Sequence, residues 1–417
     1  MKVVHLSSSD LSGGASIACK RISDALVING VDSNLLVQEK NSADLRVKST
    51  TKNLLSKLHY YSRFVSDEGY IRLFTNQKRG RFSNPYIGLD ISNESLLRSS
   101  DIVHLHWING GYLSLSSLKK LKQINKPIVW TLHDMWAFTG GCHYSLECRK
   151  FEKECNYCPS LRYKGKNDTS NRIFHGKSFF EELNLTFVTC SNWLKLEAEK
   201  SQLLIGKRVI NIPNTLNTNL YKPLDEKAAR NKLGLKKDKI YILFGAMNIV
   251  DERKGFKHLL GSLTKLASEL DNKKDEIEII IFGKANEKLL DSIPFKRNYF
   301  GNFKNEEDII YCYNAADIFI APSLQDNLPN TVLESLSCGT PVVAYNIGGL
   351  PDMIDHLNNG YLAEANSVED LTNGLKWYLK NKSNVESLSL NARNKVIKNF
   401  SQKIVAGKYE ELYRSLI

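Results

Sequence analysis

Residues 322–351 read PSLQDNLPNTVLESLSCGTPVVAYNIGGLP, just after an apolar, strand-like run from Asp317 to Ala321. A loop holding Asp326 and Pro329 leads into a helical segment that begins near Thr331 and halts at Gly339. Pro341-Val342-Val343-Ala344 then starts another strand. Strand, loop, helix and strand in that order form a parallel unit. They set two carboxylates, Asp326 and Glu334, eight positions apart at the carboxyl end of the sheet. Open α/β sheets bind ligands at that edge. A loop that meets a helix N-terminus there offers backbone N–H groups to an anion, and carboxylates accept hydrogen bonds from sugar hydroxyls. The pattern predicts a site that holds a phosphorylated sugar. Taken alone, the acid pair also fits a βαβ unit with solvated carboxylates.

The acids are followed by Cys338-Gly339-Thr340-Pro341-Val342-Val343 and then by Gly348-Gly349-Leu350-Pro351. In these residues the chain resembles the retaining glycosyltransferases of family 4. Their signature is an acid, seven arbitrary residues and a Glu, then Ala/Ser-x-Ala/Ser-x-Gly-x-Pro-Val-Val; here it runs from Asp326 through Glu334 to Val343. The resemblance implies the GT-B fold, an α/β architecture of two Rossmann-like, doubly wound domains facing across a cleft. It further implies that Asp326 contacts the donor sugar and Glu334 the donor ribose. Sugar choice then depends on the stretch from Asp326 to Thr331, which brings Asn330 and Thr331 into the donor-binding set. The first acid is usually Glu in the family and is Asp here, one methylene shorter, which gives the sugar pocket a different shape.

A chain of 417 residues exceeds what one hydrophobic core normally supports, so two domains are expected. Hydrophobic content of 42% and charged content of 24% describe an ordinary globular protein. No apolar run approaches the roughly 20 residues needed to span a bilayer. Met1-Lys2-Val3-Val4-His5-Leu6 is too short and too soon polar for a signal peptide and reads as a first buried strand, so a cytoplasmic protein is expected.

The first half alternates strands with helices. Val3 to Leu6, Ser33 to Val37, Ile102 to Leu105, Ile128 to Leu132, Thr186 to Cys190 and Arg208 to Ile212 read as strands, and Ala15 to Asn29 as a helix ended by Gly30. The second half repeats the plan with strands at Ile240 to Phe244, Ile277 to Phe282, Asp317 to Ala321 and Pro341 to Ala344. Helices are expected there at about 255–271, 306–315, 330–337 and 368–380. Between Pro213 and Pro223 the chain is polar and aperiodic, and resembles the family's Ile-Pro-Asn-Gly-Val-Asp linker with Thr215 and Asn217 in place of its Gly and Asp. The expected domains are 1–215 on the acceptor side, with a Cys-rich loop at 140–160, and 216–400 for the nucleotide sugar. A helix at 401–417 is expected to cross back to the first domain.

Sugar transfer from a nucleotide diphosphate leaves a diphosphate whose charge must be stabilised. Fixed cations and helix N-termini can do so without a metal. Gly13 and Gly14 follow the first strand and open the first helix, matching the family's glycine-rich loop; Gly-Gly alone is also a plain turn. Arg253 and Lys254 precede Gly255 and a helix. The resemblance assigns Lys254 to the diphosphate clamp, whereas the family's Arg, five positions earlier, is replaced by Ile249, so Arg253 is the substitute. His133 ends the strand Pro127 to Leu132, where the family places a His near the reacting carbon; a capping or core histidine is the alternative. His104 and His106 are secondary candidates. Gly301, Asn302 and Phe303 match a turn that touches the nucleotide base through its backbone, and Gly283 borders the nucleotide or simply turns the chain. The expected catalytic set is His133, Lys254 and Asp326. No Asp-x-Asp motif appears where a diphosphate would sit, so no catalytic metal is expected.

Cys142, Cys148, Cys155 and Cys158 lie within seventeen residues in the spacing C-x5-C-x6-C-x2-C. Four thiolates so spaced can hold a structural, tetrahedral zinc, with free cysteines as the alternative and iron–sulfur ligation less supported.

The formal net charge of +12 points to an anionic partner. Residues Lys48 to Arg81 concentrate it: Lys52, Lys57, Arg63, Arg72, Lys78, Arg79 and Arg81 alternate with Leu54, Leu55, Leu58, Tyr60, Tyr61, Phe64, Tyr70 and Phe74. That mixture is either a membrane-surface segment or a solvated helix whose apolar side faces the core. No nucleic-acid motif accompanies it, so no nucleic-acid partner is expected. The family resemblance implies a nucleotide-sugar donor, UDP- or GDP-linked, and a saccharide or polyprenyl-linked acceptor in bacterial surface polysaccharide synthesis. It places the work at the cytoplasmic face of the membrane, with peripheral attachment. The competing expectation is a catalytically weakened GT-B scaffold that binds membrane or nucleic acid.

Overall fold

Val3 and Val4 are both fully buried and belong to different apolar clusters, because successive strand residues point to opposite faces and helices cover both. The same double burial recurs along most strands and explains their nearly continuous apolar runs. The computed structural model describes residues 1–76, 79–303 and 305–417. It divides into two units, Met1–Thr215 with Gln402–Ile417, and Leu216–Ser401.

The first unit holds β1 (Lys2–Ser9), β2 (Asp32–Glu39), β3 (Val47–Ser49), β4 (Ile102–Leu105), β5 (Ile128–Leu132), β6 (Leu185–Thr189) and β7 (Arg208–Asn211). They form one parallel sheet in the order β3-β2-β1-β4-β5-β6-β7. Sheet growth reverses between β1 and β4, where His5 lies opposite His104. The helix Gly14–Ile28 and the C-terminal helix Gln402–Arg414 cover one face; Ile22 and Leu26 pack with Val405, Tyr409 and Tyr413. Tyr413 Oη lies 2.7 Å from His104 Nδ1, and Tyr409 Oη lies 2.9 Å from Thr131 Oγ1.

The second unit holds β8 (Ile240–Asn248), β9 (Ile277–Lys284), β10 (Lys296–Tyr299), β11 (Ile318–Ala321), β12 (Val342–Tyr345) and β13 (Gly360–Ala363). This sheet is also parallel, in the order β10-β9-β8-β11-β12-β13. Its direction of growth reverses between β8 and β11, the position at which doubly wound sheets open a ligand crevice. The helices Phe256–Glu269, Glu306–Ala315, Asn330–Ser337 and Val368–Lys380 lie within a residue or two of the expected ranges. Strands β3 and β13 were not expected.

Among the described residues no helix is long and apolar enough to cross a membrane. The helix Leu54–Phe74, capped by Asn53, buries only Asp67 and Ile71. Apart from Ile71, its apolar residues are therefore not buried in a core. Leu54, Leu58, Tyr61 and Val65 follow helical spacing along one stripe and are 56–74% exposed.

Candidate functional site

In the second unit, the loops that follow β8 and β11 meet at the switch point. Lys254 donates from Nζ to Asp326 Oδ2 at 2.6 Å, and Ser323 Oγ lies 3.5 Å from the same oxygen. Backbone locks hold the two loops together. Leu324 N–H donates to Arg253 O at 2.7 Å, and Gly255, at φ +71°, passes so close to Pro322 that a Cβ would lie 1.9 Å from its carbonyl oxygen. The run Gly348-Gly349 closes on the acid from the far side. Gly349 N–H donates to Asp326 O at 3.2 Å, and a Cβ on Gly348, at φ +55°, would lie 1.9 Å from that oxygen. Only glycine fits there.

The helix Asn330–Ser337 starts beside this cluster. Its N-cap is Pro329, and no side chain caps it. Asn330 and Thr331 are its first two residues, so their backbone N–H groups stand at the positive end of the helix. Glu334, one turn on, is buried and accepts a hydrogen bond from the Tyr313 hydroxyl at 2.9 Å. Burial, and then the Glu334 carboxylate, push the Tyr313 hydroxyl well above its ordinary pKa, which keeps it a donor.

The other residues singled out in this half behave differently. Ile249, which stands where an Arg was sought, is fully buried and supplies no cation. The Arg253 guanidinium pairs with Asp251 at 2.6 Å within its own loop. Gly283 and Gly301 are neighbours, since Gly283 N–H donates to Gly301 O at 2.7 Å. Gly283 is nevertheless demanded by packing alone: at φ +113° its Cβ would meet Ala246 O at 1.7 Å. Asn302 is exposed, and Phe303 stacks on Phe300 with ring centres 5.9 Å apart.

In the first unit, Gly13 takes φ +98° and precedes the helix that begins at Gly14, without a side-chain cap. Ser9 Oγ accepts from Ser12 N–H at 3.1 Å and shapes this turn. His133 leaves the end of β5 and joins a row of imidazoles. His133 Nε2 lies 3.0 Å from His106 Nδ1, and His106 Nε2 lies 3.0 Å from His5 Nδ1. Burial pushes His133 down to about 4 and His5 to about 3. Burial, helped by the neighbouring imidazoles, holds His104 and His106 well below the usual value. All four are therefore neutral near pH 7. A small cavity opens beside His106, Trp107, His133 and Asp134.

Two partners here escaped the sequence reading. Asp134 Oδ2 lies 2.6 Å from His143 Nδ1, and His143 Nε2 lies 2.7 Å from Ser83 Oγ. Burial works against the Asp134 carboxylate, but the His143 charge and hydrogen bond outweigh it and hold the acid below its ordinary pKa. His143 sits inside the cysteine-rich loop, where no periodicity announced it.

In the basic segment, Arg79 pairs with Glu147 at 2.7 Å and Arg81 with Glu68 at 3.6 Å, so neither is a free surface charge; Lys78 lies outside the described residues.

Residues 225–395 match the family described as Glycosyl transferases group 1. The chain is 28% identical over 294 residues to a putative colanic acid biosynthesis glycosyl transferase, WcaC, of Escherichia coli, covering 66% of this chain and 65% of that one. Among solved structures, sucrose-phosphate synthase of Thermosynechococcus elongatus superposes with a TM-score of 0.70 at 16% identity, covering 100% of this chain and 99% of the other. The Anabaena protein HepE, solved with UDP-glucose, gives 0.65 at 16% identity with 100% of both chains covered. A parallel sheet in each unit, a Lys–Asp pair at the switch point of the second and a match of nearly all of that second unit to the group 1 family model agree: the chain is a glycosyltransferase with the GT-B fold, and its residues 225–395 carry the group 1 match.

Proposed function

We propose that this glycosyltransferase moves a sugar from a nucleotide diphosphate, UDP- or GDP-linked, to a hydroxyl of a saccharide or polyprenyl-linked acceptor, with the anomeric configuration retained. The observation that carries the reading is the Lys254–Asp326 pair beside the uncapped helix Asn330–Ser337. A cation and the positive end of a helix converge where a leaving diphosphate needs charge stabilisation. Asp326 accepts from the sugar hydroxyls, and Glu334, aimed by Tyr313, accepts from the ribose. Gly301, Asn302 and Phe303 border the base. Arg253, tied to Asp251, plays the lesser part in the clamp. Within the first unit, Gly13, Gly14 and a neutral His133, which offers hydrogen bonding rather than a fixed positive charge, form a separate candidate set. The protein supplies this stabilisation from its own groups, so turnover proceeds without added magnesium or manganese.

The names of relatives support the pathway class. WcaC is named for colanic acid biosynthesis, and an Erwinia amylovora relative for amylovoran biosynthesis. An Escherichia coli relative is named as acting on a diphosphoundecaprenol-linked sugar. We therefore place this enzyme in bacterial surface polysaccharide synthesis. The exposed stripe of the helix Leu54–Phe74 docks on an anionic membrane that carries such an acceptor.

A thermal-shift screen against UDP, GDP and their sugars tests the donor assignment, because a ligand that binds only the folded state raises Tm. A rise with one base and not the other is expected; no response to any nucleoside diphosphate would overturn it.

A further inference from the structure

Cys142, Cys148, Cys155 and Cys158 line a single cavity in the first unit, and all four are free thiols. The chain that carries them is bent to bring them there. Leu146 and Tyr157 take left-handed backbone, at φ 50° and 41°, which such side chains rarely adopt. Tyr157 lies between Cys155 and Cys158, so its turn sends both ends of the Cys-x-x-Cys pair to one cavity. Gly140 N–H donates to Cys155 Sγ at 3.2 Å and so fixes where that sulfur sits.

Next to this loop lies a buried lysine, whose charged form burial disfavours, pushing its pKa down to about 7. Lys177 is wholly buried, donates to the carbonyls of Trp136 and Thr139, and sits 4.0 Å from the centre of the Trp136 ring. Among the described residues no carboxylate lies within 4.0 Å of it; Thr139, which it holds, directly precedes Gly140. A buried ammonium without a counter-ion is unfavourable. A zinc tetrathiolate carries two negative charges and would supply one.

We propose that Cys142, Cys148, Cys155 and Cys158 bind one structural zinc as a tetrathiolate, with Lys177 as its buried counter-ion. Binding replaces four thiol protons, which leave to solvent, with one Zn²⁺. The sulfurs close in on binding. Among the described residues the one set of three or more ligand atoms within 4.8 Å of one another is His5, Cys19 and His106, so the cysteine sulfurs stand wider than in a filled site. That other set is a weaker site, because the His5 and His106 nitrogens already face each other at 3.0 Å. The zinc braces the wall of the cavity beside His133. Cys142 adjoins His143, whose carbonyl accepts from Met135 N–H at 2.9 Å and whose ring holds Asp134.

The test uses the full chain, purified without added metal, then dialysed with equimolar zinc and gel-filtered. Elemental analysis should find about one zinc per chain, and X-ray absorption four sulfur neighbours at about 2.3 Å. Cys155→Ser combined with Cys158→Ser should lower zinc content at least about tenfold. If that variant does not fold, thiol titration of the wild type decides: four of the eight cysteines should react only as zinc is released. Zinc below about a tenth per chain, oxygen or nitrogen neighbours in place of sulfur, zinc retained by the double variant, or thiols that titrate without releasing zinc would each overturn the proposal.

Discussion

The Lys254 ammonium and the Asp326 carboxylate meet at 2.6 Å, joining the loops after β8 and β11 where the sheet changes its direction of growth. A partly exposed pair of this kind contributes at most about 1 kcal/mol to folding. Lys254→Ala should therefore leave Tm nearly unchanged. Loss of a charge-assisted contact to the leaving diphosphate, about 2–4 kcal/mol, should lower kcat by about 30- to 1000-fold. Wild-type turnover in the variant would remove Lys254 from this role.

On the proposed reading the two acids divide the donor between them. Glu334, held by Tyr313, would meet the ribose, which donor and product share. Glu334→Gln should weaken binding of free nucleoside diphosphate, whereas Asp326→Asn should spare that binding and damage transfer or sugar choice. Calorimetry with the diphosphate alone separates the two; equal losses would contradict separate subsites.

The row His5, His106 and His133, with His104 beside it, makes the first unit acid-sensitive. Their folded-state pKa values are depressed, so on unfolding each imidazole gains a proton below its ordinary pKa of about 6.5. The unfolded state binds more protons, and stability is lost as pH falls from about 6.5 toward 4. Each imidazole adds up to about 1.4 kcal/mol per pH unit in that window. Urea denaturation at pH 7, 6 and 5 should show this slope, and His5→Gln should remove about one proton from it. A stability that stays level from pH 7 to 5 would show that these rings are not held neutral.

The stripe of Leu54, Leu58, Tyr61 and Val65 should govern membrane binding. Vesicle association should rise with anionic lipid and fall partly with salt, leaving a residue carried by the apolar side chains. Replacing all four with Ser should cut vesicle binding by at least about tenfold while sparing transfer to a soluble acceptor. Unchanged binding in that variant would move the docking surface elsewhere.

The second half was readable because its chemistry sits on regular punctuation. Pro329, Gly339 and Pro341 bound a short helix, and β11 and β12 are continuous apolar runs buried on both faces. The outer strands lack that signal. β13, Gly-Tyr-Leu-Ala, is four residues long at a sheet edge, and β3 has only three. Composition showed that residues 48–81 are both basic and apolar, but not that Leu54 and Leu58 point outward, since exposure depends on what the fold leaves uncovered. Asp134 and His143 stayed hidden for a related reason: their pairing depends on the path of an aperiodic loop.

Transfer itself is the most direct test of the central claim. The protein is incubated, without added divalent metal, with UDP- and GDP-sugars and a polyprenyl-linked or soluble saccharide acceptor, and the product is read by NMR. The account predicts that one donor yields a glycoside with the donor's anomeric configuration, and that Lys254→Ala abolishes most of it. A product of inverted configuration, or turnover that Lys254→Ala leaves intact, would contradict it.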